Sequence, residues 1–231
     1  MQRDPGVGVA RTSWDRHEVD AFVAMAVERR YRSGDAIIRQ GDPTSVHLIM
    51  RGWVKVLTTR LSGHEVLLVL QGPGDLTGHW EAVRGPLSPA VASVIALEPT
   101  ITMSVAADRF VEFLLASPHA CLAELRNLVN VTVGLEKRRV NLAVVHTGQR
   151  LAALLIDLAV RHGRHTPDGI EIAIALSQDE ISGMIGASRD SVTRALTSMR
   201  AQGLVVTGRR SMTVRDLEAL RVYAASERAV S

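Results

Sequence analysis

Short apolar runs separated by glycines fill the chain between Tyr31 and about Val105. They lie at residues 36–38, 47–50, 54–57, 66–70 and 91–95. Each run has the length of a β-strand, and glycine supplies the positive-φ turns between neighbours. The pattern predicts a small antiparallel barrel or jelly roll. Before it we expect a disordered start to about Arg11 and a short helix over residues 15–28.

From residue 118 the apolar positions adopt a helical period. Residues at alternating spacings of 4 and 3 form a narrow heptad seam, which comprises Cys121, Leu125, Leu128, Thr132, Leu135, Arg139, Leu142 and His146. So thin a stripe covers too little surface to pack on a barrel alone, but it can pack against a copy of itself. The pattern therefore favours a dimer helix. The alternative, an amphipathic helix on its own barrel, would place Thr132 and Arg139 in a closed core that suits neither.

Beyond the seam the pattern changes again. Gly148 interrupts the helical run. A second apolar helix, a turn and a loosely alternating strand follow at residues 151–160, 164–169 and 170–176. Two more apolar runs, at residues 204–206 and 212–214, flank Gly208-Arg209-Arg210 and predict a two-stranded wing.

Between these segments lies a helix-turn-helix candidate. Ser177 and Glu180 have the spacing of a capping box, so we expect a helix to begin there and run through Ile185. Gly186 ends this helix, and Ser188 begins a second one. Two short helices joined by a turn with glycine are typical of DNA-binding proteins.

The polar face of this motif is cationic. The inner faces of the two helices are expected to carry Ile181, Ile185, Val192 and Leu196. The candidate DNA contacts are Gln178, Ser188, Arg189, Asp190, Ser191, Thr193 and Arg194. Residues 186–215 hold six arginines and a single acid, Asp190. The charge alone fits a solvated arginine face, but together with the helix-turn-helix pattern it predicts DNA binding.

Composition excludes several other classes of protein. The 231 residues are 46% hydrophobic and 22% charged, which is typical of a globular chain. The net charge is only +3, and nearly all the basic charge is arginine, since Lys55 and Lys137 are the only lysines. The single cysteine, Cys121, excludes an intrachain disulfide and a four-cysteine metal cage. No apolar run approaches the roughly 20 residues of a membrane span, so we expect a cytoplasmic protein without a membrane partner.

The helix-turn-helix resembles that of the Crp/Fnr family of transcription regulators. Gly186-Ala-Ser-Arg-Asp-Ser-Val-Thr-Arg194 parallels the family's Gly-x-Ser-Arg-Glu-Thr-Val-x-Arg recognition helix. The barrel spacings that agree are Ser33-Gly-Asp35, Ile38-x-Gln-Gly41, Ile49-x-x-Gly-x-Val54 and Gly74-Asp75. The resemblance covers about residues 31–215 and implies an α+β fold. Residues 1–117 would hold a short helix and an antiparallel jelly roll of the cyclic-nucleotide-binding type. Residues 118–147 would form a dimerisation helix, and residues 148–231 a winged helix-turn-helix.

The resemblance also implies roles for the DNA-facing residues. Arg189 matches the arginine that contacts guanine, and Arg194 matches the second arginine of the recognition helix. Asp190 replaces the family's usual glutamate and is one methylene shorter, so its base preference is open. Arg209 and Arg210 in the wing are expected to contact phosphate. The implied partners are double-stranded DNA, a second copy of the chain and RNA polymerase.

The effector pocket departs from the family pattern. Cyclic-nucleotide binders of the family carry a glycine–glutamate pair and, later, an arginine that pairs with the cyclic phosphate. Here Gly78 matches, but His79 replaces the glutamate, and Ala90 and Val91 stand at the arginine and serine positions. Other pocket candidates are Trp80, Glu81, Leu135 and Glu136, the last two at hydroxyl positions of cyclic-AMP responders. Because a buried phosphate without a charge partner is costly, we expect cyclic AMP not to bind in the usual mode.

The sequence leaves the effector open. The alternatives are another small molecule such as a cyclic dinucleotide, cyclic AMP in a different mode, or haem with His79 as a ligand. A lone histidine is, however, more often a surface or hydrogen-bonded residue than a ligand. The competing classes are an enzyme and a plain nucleotide-binding module, but no Ser/His/Asp arrangement, phosphate-binding glycine loop or His-Glu-x-x-His motif occurs. We therefore expect no catalysis and no structural metal.

Overall fold

The chain forms two compact units, residues 8–132 and residues 133–231. The computed structural model describes residues 12–59, 65–85, 87–144, 146–172, 176–208 and 211–225, without the side chains of residues 134–145 and 161–162. The expected disordered start, residues 1–11, lies outside these ranges. The domain limits 1–117, 118–147 and 148–231 stay predictions. Among the described residues, none of the helices is both long and apolar enough to span a membrane.

The first unit is built on antiparallel sheets. Its elements are α1 (Arg16–Met25), β1 (Val27–Tyr31), β2 (Ala36–Ile38), β3 (Ser45–Arg51), β4 (Val54–Thr59), β5 (Glu65–Gln71), β6 (Leu76–Thr77), α2 (His79–Arg84), β7 (Ser93–Ala96), β8 (Thr100–Ala106), α3 (Ala107–Ala116) and the first part of α4 (Pro118–Val144). One sheet has the order β1-β8-β3-β6 and the other β2-β7-β4-β5. Every apolar run noted above overlaps a strand, which confirms the antiparallel β domain.

The N-terminal helix is shorter than predicted. It begins after Asp15, whose side chain accepts the backbone N–H of Glu18 while the Glu18 carboxylate accepts that of Asp15. At Ala26 the backbone turns extended, with ψ at 161°. The next five residues form β1, so the prediction of helix to residue 28 was wrong. Four of the five β1 side chains are exposed, and such an edge strand shows no apolar alternation in the sequence.

An aromatic core fixes the helices of this unit against one another. The ring centroid of Trp14 lies 5.3 Å from that of Phe22 in α1 and 5.1 Å from that of Phe113 in α3. The same buried cluster includes Ala82 of α2 and Ala123 of α4. The small alanine side chains let α2 and the first turns of α4 pack on this core.

The second unit contains a larger sheet than the sequence predicts. Its elements are α5 (Thr147–His162), β9 (Gly163–Thr166), β10 (Gly169–Ile172), α6 (Gln178–Ile185), α7 (Arg189–Ala201), β11 (Val205–Thr207), β12 (Met212–Val214) and α8 (Leu217–Ala225). The sequence predicts a wing of two strands, whereas the sheet has four, in the order β11-β12-β10-β9. Residues 164–166, predicted as turn, belong to β9, whose polar sequence does not alternate. The strand predicted over 170–176 ends at Ile172, and residues 173–175 lie outside the described residues.

Gly148 does not interrupt the helical run, contrary to the prediction. The break lies at His146, which has extended dihedrals (φ −64°, ψ 152°), and Gly148 is inside α5. A Cβ at Gly148 would lie 2.7 Å from the hydroxyl oxygen of Tyr223 in α8. The glycine therefore lets α8 pack closely on α5.

Candidate DNA interface and effector segment

The first helix of the helix-turn-helix is fixed at both ends. The Ser177 hydroxyl accepts the N–H of Glu180 at 3.1 Å, and the Glu180 carboxylate accepts the N–H of Ser177 at 2.8 Å. Gly186 ends α6 in the left-handed conformation with φ at 62°, which glycine adopts without strain. The predicted capping box and glycine turn are both confirmed.

The apolar faces of α6 and α7 point inward as predicted. Ile181, Ile185, Val192 and Leu196 are exposed by 2%, 4%, 0% and 5%. Burying these four side chains sets the rotation of both helices. The opposite face of α7, with Arg189, Asp190, Thr193 and Arg194, is exposed.

The serines at the start of α7 serve the helix itself. The Ser188 hydroxyl accepts the backbone N–H of Ser191 at 3.2 Å, which caps the helix. Ser188 also donates to the Ser191 hydroxyl at 2.9 Å, and Arg194 donates to that hydroxyl at 3.2 Å. The remaining N–H groups and the dipole of the first turn favour an anion in front of Arg189.

Side chains also join α6 to α7. The Thr193 hydroxyl donates to the Gln178 side-chain oxygen at 2.9 Å. The Arg189 guanidinium lies 3.8 Å from the Asp179 carboxylate, with both side chains well exposed. Asp179 was not among the predicted site residues, although an acid within the capping box of α6 was a usable signal.

Two arginines link the helix-turn-helix to neighbouring elements. Arg200 near the end of α7 donates to Thr207 of β11 at 3.3 Å. Arg150 of α5 donates to the Gly186 carbonyl at 3.4 Å, inside the turn of the motif. These two contacts were not predicted, because they depend on the tertiary fold. Arg209 and Arg210 lie outside the described residues.

The predicted effector segment, residues 78–84, begins with Gly78, which no other residue can replace without strain. Gly78 has φ at +77°, and a Cβ there would lie 2.2 Å from the Ser45 carbonyl oxygen. The tight passage brings His79 to the start of α2, where its ring is buried. Trp80, the next residue, is 37% exposed.

The predicted pocket positions on α2 and before β7 do meet. A Glu81 carboxylate oxygen accepts the backbone N–H of Val91 at 3.2 Å. Ala90 is 4% exposed, whereas the Val91 side chain is 54% exposed. The junction thus holds a carboxylate and two aliphatic side chains, and no cation stands at either of the two substituted positions. The side chains of Leu135 and Glu136 on α4 lie outside the described residues.

His79 differs from the expected surface or hydrogen-bonded histidine. It is 5% exposed, and within the described part of the chain neither ring nitrogen has a hydrogen-bond partner. Burial lowers the pKa of His79 to about 4, so the ring is neutral at physiological pH. Its Nε2 atom lies 3.7 Å from an oxygen of Glu124 on α4.

Comparison with known proteins adds independent evidence. A model of the cyclic nucleotide-binding domain matches residues 28–117, and a model of the Crp-like helix-turn-helix domain matches residues 149–223. The chain belongs to the Crp/Fnr family. It is a transcription regulator with an effector-binding domain and a DNA-binding domain, and its relatives are regulators rather than enzymes.

Relatives of this Crp/Fnr regulator align over most of the chain. The global nitrogen regulator of Synechococcus elongatus is 29% identical over 186 residues, which cover 80% of this chain and 84% of the relative. The CRP-like cAMP-activated global transcriptional regulator of Mycobacterium tuberculosis is 26% identical over 188 residues, covering 81% and 83%. A CRP/FNR-family transcriptional regulator from Thermus thermophilus shares the fold with a TM-score of 0.69 at 18% identity, covering 87% of this chain and 100% of that one.

The long helix of the Crp/Fnr regulator has two different faces. Ala120, Ala123 and Asn127 are buried against the first unit. The seam residues Leu125 and Leu128 are 54% and 47% exposed. Cys121 and Thr132 of the seam are exposed as well, and the side chains of Leu135, Arg139 and Leu142 lie outside the described residues. The helix therefore packs on its own β domain with one face and leaves an apolar stripe open on another.

Proposed function

We propose that this Crp/Fnr regulator acts as a homodimer that binds an inverted repeat in double-stranded DNA. The observation that carries the proposal is the exposed face of α7, where Arg189, Asp190 and Arg194 stand opposite the buried Val192 and Leu196. A recognition helix presents polar side chains of this kind to base edges in the major groove. A dimer would place two such helices one turn of DNA apart.

Each DNA-facing side chain has a proposed role. Arg189, at the helix start, donates to the O6 and N7 atoms of a guanine, and Asp190 accepts from a cytosine amino group. Arg194 and Gln178 contact the same half-site. Arg209 and Arg210 of the wing contact phosphate. Binding to RNA polymerase stays a prediction, for which no residue is proposed.

The exposed stripe on α4 supports the dimer. Leu125 and Leu128 would each bury close to half of their surface area against a second copy of the helix. Thr132 is compatible with this packing because its hydroxyl already donates to the Leu128 carbonyl at 2.9 Å. The seam therefore needs no polar partner at that position.

The effector domain is proposed to respond to a ligand other than cyclic AMP in the usual mode. The Mycobacterium tuberculosis relative is named as cAMP-activated. In this chain Ala90 stands at the position of the family's phosphate arginine, and the Glu81 carboxylate accepts the N–H of Val91 beside it. A different small effector, such as a cyclic dinucleotide, or cyclic AMP bound in another way, would have to obtain its charge partner elsewhere.

Selection of duplexes from a random pool by the full chain tests this function. We expect enrichment of an inverted repeat whose half-sites are centred about 10 base pairs apart. Enrichment of a single half-site would contradict the dimer, and no enrichment over bulk DNA would contradict sequence-specific binding.

A further inference from the structure

Several polar atoms without hydrogen-bond partners are buried where α2 and α4 meet near Trp14. Neither nitrogen of the His79 ring has a hydrogen-bond partner among the described residues, and the same holds for Glu124 Oε2, Asn127 Oδ1 and Trp14 Nε1. Almost all buried polar groups in folded proteins are paired. Five unpaired atoms on these four neighbouring side chains therefore call for an explanation.

The central pair is close but not bonded. His79 Nε2 and Glu124 Oε2 are 3.7 Å apart, and the two side chains are only 6% and 11% exposed. The edge of one ring meets the face of the other where His79 packs on Trp80, with the centroids 5.4 Å apart. A movement of less than 1 Å would turn this separation into a hydrogen bond.

Neighbouring ionisable groups are engaged elsewhere. Glu81 of α2 accepts the backbone N–H of Val91. His47 of β3 contacts the hydroxyls of Ser45 and Thr102. Helix α3 contributes apolar side chains to the shared core. Glu18 of α1 pairs with His119 at the start of α4. Within the described residues no lysine or arginine forms an ion pair with Glu124.

The protonation states follow from burial. Burial raises the pKa of Glu124 to about 7, although polar contacts with the Asn127 and Trp14 side chains lower it. The His79 ring is neutral, as argued above. Near neutral pH, one proton therefore decides whether this contact holds two neutral groups or a buried carboxylate.

We propose that His79 and Glu124 form a proton-operated contact between the effector segment and α4. With the proton on Glu124, both groups are uncharged and the helices keep their present separation. When the proton leaves, the buried carboxylate needs a donor, and an N–H of the His79 ring is within reach if α2 and α4 draw together. By linkage, any ligand that changes the packing of α2 on α4 also changes the proton affinity of the pair.

Carboxyl titration in the full chain tests the contact directly. With ¹³C-labelled glutamate, one carboxyl signal should titrate near pH 7 and be absent from Glu124→Gln, whose side chain has the size of protonated glutamate. The His79 ring signals should shift over the same pH range. Glu112→Gln, which removes an exposed glutamate of α3, is the matched control and should retain the near-neutral signal. Titration of every glutamate in the ordinary acidic range would overturn the proposal.

DNA affinity between pH 6 and pH 8 tests whether the contact is regulatory, a step that rests on the proposed function. The affinity of the unmodified chain should change by up to about tenfold per pH unit. Glu124→Gln should have a flat profile, and Glu112→Gln should follow the unmodified chain. Equal slopes in the unmodified chain and Glu124→Gln, or a flat profile in both, would contradict a regulatory role. If neither protein binds DNA at any pH, the proposed function fails, whereas the carboxyl titration still decides the contact.

Discussion

The Nδ1 atom of His119 lies 2.9 Å from both carboxylate oxygens of Glu18, and this contact joins the start of α4 to α1. The same carboxylate accepts from the Ser117 hydroxyl at 3.0 Å and from the N–H of Asp15 at 2.9 Å. Burial alone would raise the pKa of Glu18, but the hydrogen bonds outweigh it and hold this pKa below its ordinary value. The fold therefore favours the ionised carboxylate.

Glu18→Gln should destabilise the first unit by about 1–3 kcal/mol at pH 7, because the amide has one acceptor oxygen and no charge for His119. The pKa of Glu18 is lower in the folded than in the unfolded chain. Its stabilising effect is therefore present above about pH 4.5 and is lost as the pH falls through the folded value. Urea unfolding at pH 7, 5 and 3 measures the effect, and a penalty that stays constant down to pH 3 would contradict it.

Dimerisation through α4 can be tested by charging the open stripe. Leu125→Glu combined with Leu128→Glu should yield monomers in sedimentation experiments, because two like charges would meet across the seam. Leu115→Glu is the matched control, since Leu115 is 79% exposed on α3 and lies off the stripe. A doubly substituted protein that is still dimeric would place the interface elsewhere.

Comparing alanine substitutions at Gly78 and Gly34 separates the cost of backbone strain from the cost of a steric clash. Both have positive φ, but a Cβ at Gly34 would meet nothing within 4 Å, whereas one at Gly78 would collide with the Ser45 carbonyl. We expect Gly34→Ala to cost about 1–2 kcal/mol from the left-handed conformation alone. Gly78→Ala should cost a further ~1–3 kcal/mol from overpacking. Equal losses in thermal unfolding would show that the passage before α2 is loose.

Cyclic AMP should bind weakly or not at all. The positions of the phosphate arginine and its neighbour are Ala90 and Val91, and the carboxylate of Glu81 contacts this junction. An anion placed there would be desolvated beside a like charge. Calorimetry with the full chain measures this, and micromolar or tighter binding with a normal DNA response would contradict it.

The helix-turn-helix could be predicted from the sequence because its signals are local. The Ser177–Glu180 capping box, the glycine at 186 and the spacing of Ile181, Ile185 and Val192 each act within a few residues, and all of them agree. The glycine-separated strands of the β domain were predictable for the same reason.

The features that escaped prediction depend on distant partners. Strand β1 exists because β8 offers backbone groups to its polar residues, and Gly148 stays helical because Tyr223 needs the space. Glu124 lies off the heptad seam, so its meeting with His79 is a consequence of the shared core of α2 and α4. In the sequence, the two residues are 45 positions apart.

If α7 selects the DNA sequence, Arg189→Ala should change the base preference. Its affinity should be measured for the selected duplex and for single-base variants at two salt concentrations. Arg221→Ala, an exposed arginine of α8, is the control. We expect Arg189→Ala to lose about 1–3 kcal/mol and to tolerate other bases at one position of each half-site. Replacing Arg209 and Arg210 should weaken all duplexes alike and reduce the salt slope by about one unit per lost contact. Unchanged base preference in Arg189→Ala would contradict the account.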